Sequence, residues 1–215
     1  MPADNELLMK LAQFGSSELN SSELEQAEQY RKVRIPRPLI MINSSTSGIV
    51  AGSMRTWKAV EQYAAERSLE IDLAETGSIG LCSEDPVISV QLPGRTRIFF
   101  SRITEEKVSS ILDDLFHQVV PEQQVIGQLR QDGQDAWKDV PFLDEIPFFA
   151  LQERRIMKSC GIIDPFSLEE YIAGGGYHAF LKTFRSYTFS EVCELVSESG
   201  LRGRSGGGFP TGEKW

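Results

Sequence analysis

The sequence predicts an α/β protein whose last third is mainly helical. Between residues 37 and 116, apolar runs of strand length alternate with segments of helical periodicity. From residue 153 the strand-like runs give way to short helical segments with capping signals. Charge divides along the chain in the same way. The 215 residues include 22 Lys and Arg against 31 Asp and Glu, a net charge of -9. Residues 152–215 contain eight of each sign, so residues 1–151 hold the whole acidic excess, as expected of two different units.

The elements follow in order. NELLMKLAQF (5–14) places Leu7, Leu8, Leu11 and Phe14 on one helical face, with Gly15 as the stop. Residues 21–31 form a second, mostly polar helix capped by Ser21 or Ser22, so residues 1–35 read as a helical arm that packs on a neighbour. RPLIMIN (37–43) is a buried strand, and SSTSG (44–48) a small polar loop. Ser53 to Leu69 is a helix with Trp57, Val60, Ala64 and Leu69 near one face. LEIDLAE (69–75) is a strand of alternating character, and TGSIGLCSEDP (76–86) a loop. VISVQL (87–92) and TRIFFS (96–101) flank Pro93-Gly94 and form a hairpin. Thr104 caps a helix to about Phe116, with Val108, Ile111, Leu112 and Leu115 inward. The order β-α-β-β-β-α is thioredoxin-like in layout and defines a domain over 36–118.

Pro121, Pro141 and Pro147 interrupt the next stretch, which reads as a linker over 119–150 with PFF (147–149) as an apolar anchor. In 151–215, Ser167 with Glu170 forms a capping box, and Gly174-Gly175-Gly176 breaks that helix. His178 to Phe184 is a short helix. Thr188 with Glu191 forms a second box, with Val192, Leu195 and Val196 on the buried side, and Ser199-Gly200 ends that helix.

Composition excludes several classes. The acidic balance opposes general nucleic-acid binding. Three cysteines, Cys82, Cys160 and Cys193, neither make a disulfide framework nor show zinc spacing, and a reducing cytoplasm is the expected setting. No run of about 18 apolar residues predicts a spanning helix, and the N-terminus lacks the pattern of a signal peptide. His117 and His178 have no partner at metal or triad spacing.

The closing segment, LRGRSGGGFPTGEKW, is the most informative. Six glycines fall between Gly200 and Gly212, beside Arg202, Arg204 and Lys214 and against one acid, Glu213. Glycines let backbone N–H groups approach an anion and nearby cations add field, so phosphate binding is one reading. A flexible glycine linker is the other. The dinucleotide fingerprint G-x-G-x-x-G is absent, and the P-loop fails because Glu213 separates Gly212 from Lys214 and Trp215 follows.

This segment resembles the flavin-binding signature of the NADH-oxidising flavoprotein subunits of respiratory complex I, NAD-linked hydrogenases and formate dehydrogenases. The resemblance runs upstream through CGIIDPFSLEEYIAGGGYHAF (160–180) and SEVCELVSESG (190–200), so about 150–215 matches throughout. It implies that 151–215 is the helical leading part of an FMN-binding α/β flavoprotein domain, with FMN and NADH as cofactors. By resemblance Gly203 and Arg204 approach the FMN phosphate and ring, and Gly206 and Gly207 give close backbone contact. By the same resemblance Lys214 lies beside the flavin and Phe209 edges the nicotinamide pocket. Ser205 stands where the family usually has Gly. The family pattern continues well beyond Trp215, so a chain ending there is expected to offer only the first part of an FMN site and to be inactive alone. The implied partners are other subunits of an NADH-linked redox complex or a polypeptide completing the flavoprotein. No nucleic acid or membrane insertion is expected, and a homo-oligomer is possible.

Residues 37–116 resemble the thioredoxin-like two-iron ferredoxin domain that precedes the flavoprotein module in such diaphorase subunits. That domain holds its cluster by Cys-x4-Cys and Cys-x3-Cys loops. The four positions fall here on Asn43, Gly48, Ser78 and Cys82. A two-iron cluster needs four ligands, normally thiolates, and residues 37–150 contain only Cys82, a remnant ligand position. A scaffold without iron is therefore expected, acting as an interaction module of a redox complex. Thiol–disulfide chemistry would need a resolving partner that Cys82 lacks.

Overall fold

The computed structural model describes residues 4–215. The chain divides into two compact units, one of residues 21–171 and one formed by the two ends, residues up to 20 and 172–215.

The unit of residues 21–171 is built on a mixed five-stranded sheet. In chain order its elements are α2 (Ser21–Tyr30), β1 (Leu39–Asn43), α3 (Thr46–Ala51), α4 (Ser53–Arg67), β2 (Asp72–Thr76), β3 (Ile88–Gln91), β4 (Ile98–Phe100), α5 (Val108–Phe116), β5 (Val125–Gln128) and α6 (Pro147–Ala150). The strand order is β2-β1-β3-β4-β5. β1 pairs parallel with β2 through α4, the crossover a parallel pair requires, and antiparallel with β3. The Pro93-Gly94 turn closes the β3–β4 hairpin, with Gly94 in the left-handed region at φ 79°. The β1–β4 core is thus the thioredoxin-type arrangement that the element order predicts.

Strand alternation sends the two faces of the sheet in different directions. Ile40, Ile42, Ile88, Val90, Ile98 and Phe100 pack on one face against Val60 and Tyr63 of α4 and Val108, Ile111, Leu112 and Leu115 of α5. The opposite face presents Met41, Ser89, Gln91, Arg97 and Phe99, all buried. Phe99 packs there with Ile79, Val87 and Phe149.

Several expectations need correction. The SSTSG loop is not a loop throughout. Ser45 caps α3, its Oγ accepting from Gly48 N at 3.4 Å, while the Asn43 side chain holds Ser45 N at 2.9 Å. Thr104 does not cap α5. A tight turn at Glu105–Lys107 intervenes, α5 starts at Val108, and the buried Thr104 Oγ1 has no partner among the described residues.

Residues 119–150, expected as a linker, add β5 to the sheet edge beside β4. Gln128 of β5 is buried and all four of its amide valences are used. Its Oε1 accepts from Thr96 Oγ1 at 2.6 Å and Trp137 N at 2.8 Å. Its Nε2 donates to Trp137 O at 2.9 Å and Val140 O at 2.7 Å. This clip holds Trp137 in the core, where its indole N–H donates to Thr96 O at 2.9 Å. Phe149 of PFF is buried and Phe148 is 43% exposed.

Residues 154–163 lie against the same sheet. Thr76 Oγ1 donates to Ile163 O at 2.9 Å, Arg97 Nη1 to Ile162 O at 2.6 Å and Arg154 Nη1 to Ile79 O at 2.7 Å. Gly161 sits at φ 75° so close to Ile79 that a Cβ would fall 2.3 Å from its Cγ2. Ser167 Oγ accepts from Glu170 N at 3.1 Å, but the Glu170 carboxylate turns to Asp164 N and Lys32, so this capping box is half-formed.

Tyr63 donates its hydroxyl to Asp113 at 2.8 Å. Burial first, then that hydrogen bond and the Asp113 charge, push its pKa up to about 12 from 10. In the unfolded chain the phenol ionises near 10, so the unfolded state sheds this proton first. The Tyr63 contribution is thus present below about pH 10 and lost as pH rises from there towards about 12. Tyr63→Phe should flatten that part of the alkaline stability profile, measured by denaturant unfolding, and remove a tyrosinate absorbance step near pH 12.

The terminal unit contains α1 (Asn5–Phe14), α8 (His178–Ser186), α9 (Phe189–Glu198) and α10 (Thr211–Lys214); α7 (Leu168–Ala173) runs into it from the sheet unit. Asp4 caps α1 by accepting from Glu6 N and Leu7 N at 3.0 and 3.1 Å, and Gly15 ends it at φ 64°. Leu7, Leu8 and Leu11 are buried, but Phe14 at the helix end is 40% exposed. The second capping box is complete: Glu191 N donates to Thr188 Oγ1 at 3.4 Å and Thr188 N to Glu191 Oε2 at 2.7 Å. That backbone donor holds the Glu191 carboxyl below its usual pKa. The apolar side of α9 is not buried as expected: Val192 and Val196 are half-buried and Leu195 exposed. Among the described residues no helix is long and apolar enough to cross a membrane.

Candidate functional site: the glycine-rich terminal loop

All six predicted flavin-loop residues lie on one hairpin and the helical turn after it. The neck is tied by Thr211 N donating to Leu201 O and Gly203 N to Phe209 O, each at 2.9 Å. An isolated bridge pairs Arg202 with Pro210, and Arg202 Nη1 donates to Gly208 O at 2.9 Å. Gly203 and Phe209 are therefore in the neck, and Arg204, Ser205, Gly206, Gly207 and Gly208 form the tip.

The tip has the properties an anion cradle needs. Gly206 and Gly208 adopt φ of 100° and 57°, which favour glycine. A Cβ at Gly206, Gly207 or Gly208 would meet nothing within 4 Å, so a ligand can approach this backbone closely. Among the described residues, the N–H groups of 204–208 find no backbone carbonyl acceptor. Arg204 and Lys214 are exposed and form no ion pair with any described residue. Ser205 is exposed.

The foot of the loop is fixed. Gly212 of α10 is buried against α9, and a Cβ there would fall 2.1 Å from Ser197 Oγ and 2.6 Å from Cys193 O. Close packing explains Gly212, and left-handed backbone explains Gly206 and Gly208. These are separate reasons for one glycine-rich run.

These residues fit one side of a flavin phosphate site: free amides, open glycines and two unpaired cations. They do not enclose a ligand, since Gly203, Arg204, Gly206, Gly207, Phe209 and Lys214 are all exposed, whereas cofactor pockets bury most of their ligand.

The two-iron position fails the corresponding test. Asn43 directs its side chain inward to Asp85, Nδ2 donating at 2.6 Å, and its Oδ1 accepts from Ser45 N. At Gly48 a Cβ would fall 2.2 Å from Asn43 O. Ser78 and Cys82 remain neighbours, Oγ to Sγ 3.7 Å, on an exposed loop. The site is built around an amide and a glycine, so the residues present do not fit a cluster. Among the described residues no group of three or more His, Cys, Asp or Glu side chains is placed to hold a metal.

Fold and loop together define a thioredoxin-type α/β domain followed by a helical unit that ends in a glycine-rich hairpin. Comparison with known proteins finds relatives over part of the chain. The chain is 52% identical over 64 residues to the NADP-reducing hydrogenase subunit HndC of Solidesulfovibrio fructosivorans, covering 30% of this chain and 13% of that protein. It is 50% identical over 60 residues to a subunit of the NADH-quinone oxidoreductase of Rhizobium meliloti, covering 28% of this chain and 14% of that one. These are homologues, and both are subunits of larger NAD(P)-linked oxidoreductases. The chain spans only about one-seventh of the length of the relatives it matches. No family model matches it. A thioredoxin-like [2Fe-2S] ferredoxin from Aquifex aeolicus superposes with a TM-score of 0.38 at 18% identity, over 47% of this chain and all of that one.

Proposed function

We propose that this chain is the leading part of a flavoprotein subunit of an NADH:acceptor oxidoreductase, and that its terminal loop forms the phosphate side of an FMN site. The observation that carries this reading is the loop itself: LRGRSGGGFPTGEKW, tied at the neck, with an open tip whose amides find no backbone acceptor among the described residues. The 52% identity over 64 residues to a subunit of an NADP-reducing hydrogenase supports it.

In this reading Arg204, Gly206 and Gly207 hold the phosphate end of FMN through backbone N–H groups and the Arg204 charge, and Gly203, whose own N–H is donated to Phe209 O, brings the neck of the loop close to it. Lys214 lies beside the flavin and Phe209 borders the nucleotide. When bound, FMN supplies the hydride chemistry with NADH. The rest of the pocket comes from further polypeptide. The terminal unit agrees with this, because Phe180 and Phe184 stack with ring centroids 6.3 Å apart while 62% and 78% exposed, an apolar surface suited to being covered. Residues 21–171 act as a cluster-free scaffold within an NADH-linked redox complex in the cytoplasm, and no nucleic acid takes part.

The test is the flavin content and NADH oxidation of the purified 215-residue chain. Far less than one FMN per chain and no NADH-driven dye reduction are expected. Stoichiometric FMN with turnover would overturn the claim that this chain holds only one side of the site.

A further inference from the structure

The sheet face opposite the main core carries a cavity that the flavin loop does not use. Its volume is about 470 Å³, within the range of small-molecule sites. Val33, Ile79, Leu129, Leu143, Phe149 and Ile162 give it apolar walls. Five cationic side chains also line it, Arg31, Arg97, Arg130, Arg154 and Lys158, against one acid, Asp144.

Arg97, Arg154 and Lys158 lack an ion-pair partner among the described residues. Asp144 is committed to Arg130 at 2.8 Å. Arg97 is 2% exposed and has no described carboxylate in ion-pair contact. Its Nε donates to Gln91 Oε1 at 3.2 Å, and its Nη1 to Ile162 O, with Met41 Sδ at 3.0 Å. All of these acceptors are neutral, and Nη2 donates to none of the described residues. Glu170 acts on Arg97 only through space and is bonded to Lys32 at 2.8 Å. Burial lowers the Arg97 pKa to about 10, so the guanidinium stays charged at neutral pH.

Arg154 repeats the pattern. It donates to the carbonyls of Ile79, Met157 and Cys160, forms no ion pair with a described residue, and stacks over Phe149 with its guanidinium carbon 5.5 Å from the ring centroid. Exposed Lys158 forms no such ion pair either. Three cations thus face one apolar-walled cavity without an ion-pair partner among the described residues. Burying an uncompensated charge is costly, and an anion placed there offsets it.

We propose that this cavity is a binding site for a small anionic molecule with an apolar, aromatic-sized body, its carboxylate or phosphate meeting Arg97, Arg154 and Lys158. The apolar body rests on Ile79, Leu129, Phe149 and Ile162. The site shares no lining residue with the glycine-rich loop and is tested independently of it.

Calorimetric titration of the full chain with 2-naphthoate, 2-naphthyl phosphate and neutral 2-naphthalenemethanol tests this. One saturable site is expected for the anions, at least about tenfold tighter than for the alcohol. Whichever anion binds tighter identifies the headgroup. Leu129→Trp, which fills the cavity, should weaken binding about tenfold or more. Lys158→Glu, an exposed change that leaves the fold intact, should weaken it about threefold or more. Arg204→Glu on the flavin loop should leave it unchanged. Equal binding of the neutral alcohol, affinity untouched by Leu129→Trp and Lys158→Glu, or no binding by either anion would each overturn the proposal.

Discussion

Replacing Gln128 by Leu is expected to lower the stability of the sheet unit by about 4 kcal/mol. The side chain is 1% exposed and makes four hydrogen bonds, to Thr96, Trp137 twice and Val140. Leu keeps much of the volume but abandons a backbone N–H, two carbonyls and a hydroxyl inside the protein. Each buried group left unsatisfied costs about 1–3 kcal/mol, and only partial relaxation keeps the sum near 4. Trp137 reports the loss directly, because the clip is what holds it in the core. Denaturant unfolding followed by tryptophan fluorescence measures the change. The exposed Gln123→Leu is the control and should shift stability by less than about 0.5 kcal/mol. A Gln128→Leu protein within about 1 kcal/mol of the parent would show that residues 129–140 are not anchored through this amide.

Restoring the missing thiols should not restore a cluster. The triple variant Asn43→Cys, Gly48→Cys, Ser78→Cys supplies four cysteines with Cys82, the number a two-iron cluster needs. Geometry opposes it at two positions. The Gly48 Cβ would fall 2.2 Å from Asn43 O, so β1 or α3 must shift. Losing the Asn43 side chain releases Asp85 and Ser45 N together. Gly48→Cys alone should cost about 2–3 kcal/mol, since the steric penalty exceeds the small gain from removing a helix glycine. Anaerobic reconstitution followed by iron analysis and visible absorbance is the measurement. Iron well below two per chain is expected. A full complement with the spectrum of a two-iron centre would mean that this loop keeps a cluster-ready geometry.

The main fold is legible in the sequence because hydrophobic pattern decides it. Leu39–Asn43 reads as a buried strand and is buried along its length, and α5 shows its four inward residues in the sequence. β5 is hidden by the prolines and polar residues around it. Val125–Gln128 is a short edge strand, and the residue that secures it is a glutamine, which composition marks as surface. Residues 154–163 group with the terminal segment by motif, yet their carbonyls are bonded by Thr76 and Arg97 of the sheet. The glycine loop is legible as a motif, but not the division of labour among its glycines. The cavity around Arg97 leaves a trace in strand alternation. Ser89, Gln91, Arg97 and Phe99 share the face opposite Ile88, Val90 and Ile98, so the alternation already marks an arginine just before β4 as facing inward.

The flavin reading rests on the loop tip, and amide NMR of the full chain titrated with FMN and with riboflavin tests it most directly. FMN should shift the amides of Gly203, Arg204, Gly206, Gly207 and Gly208 with a weak, roughly millimolar affinity, as befits half a site. Riboflavin, which lacks the phosphate, should shift them much less, and Arg204→Glu should abolish the FMN effect. Tip amides that do not respond to FMN, or respond equally to riboflavin, would contradict the assignment of this loop as a phosphate cradle.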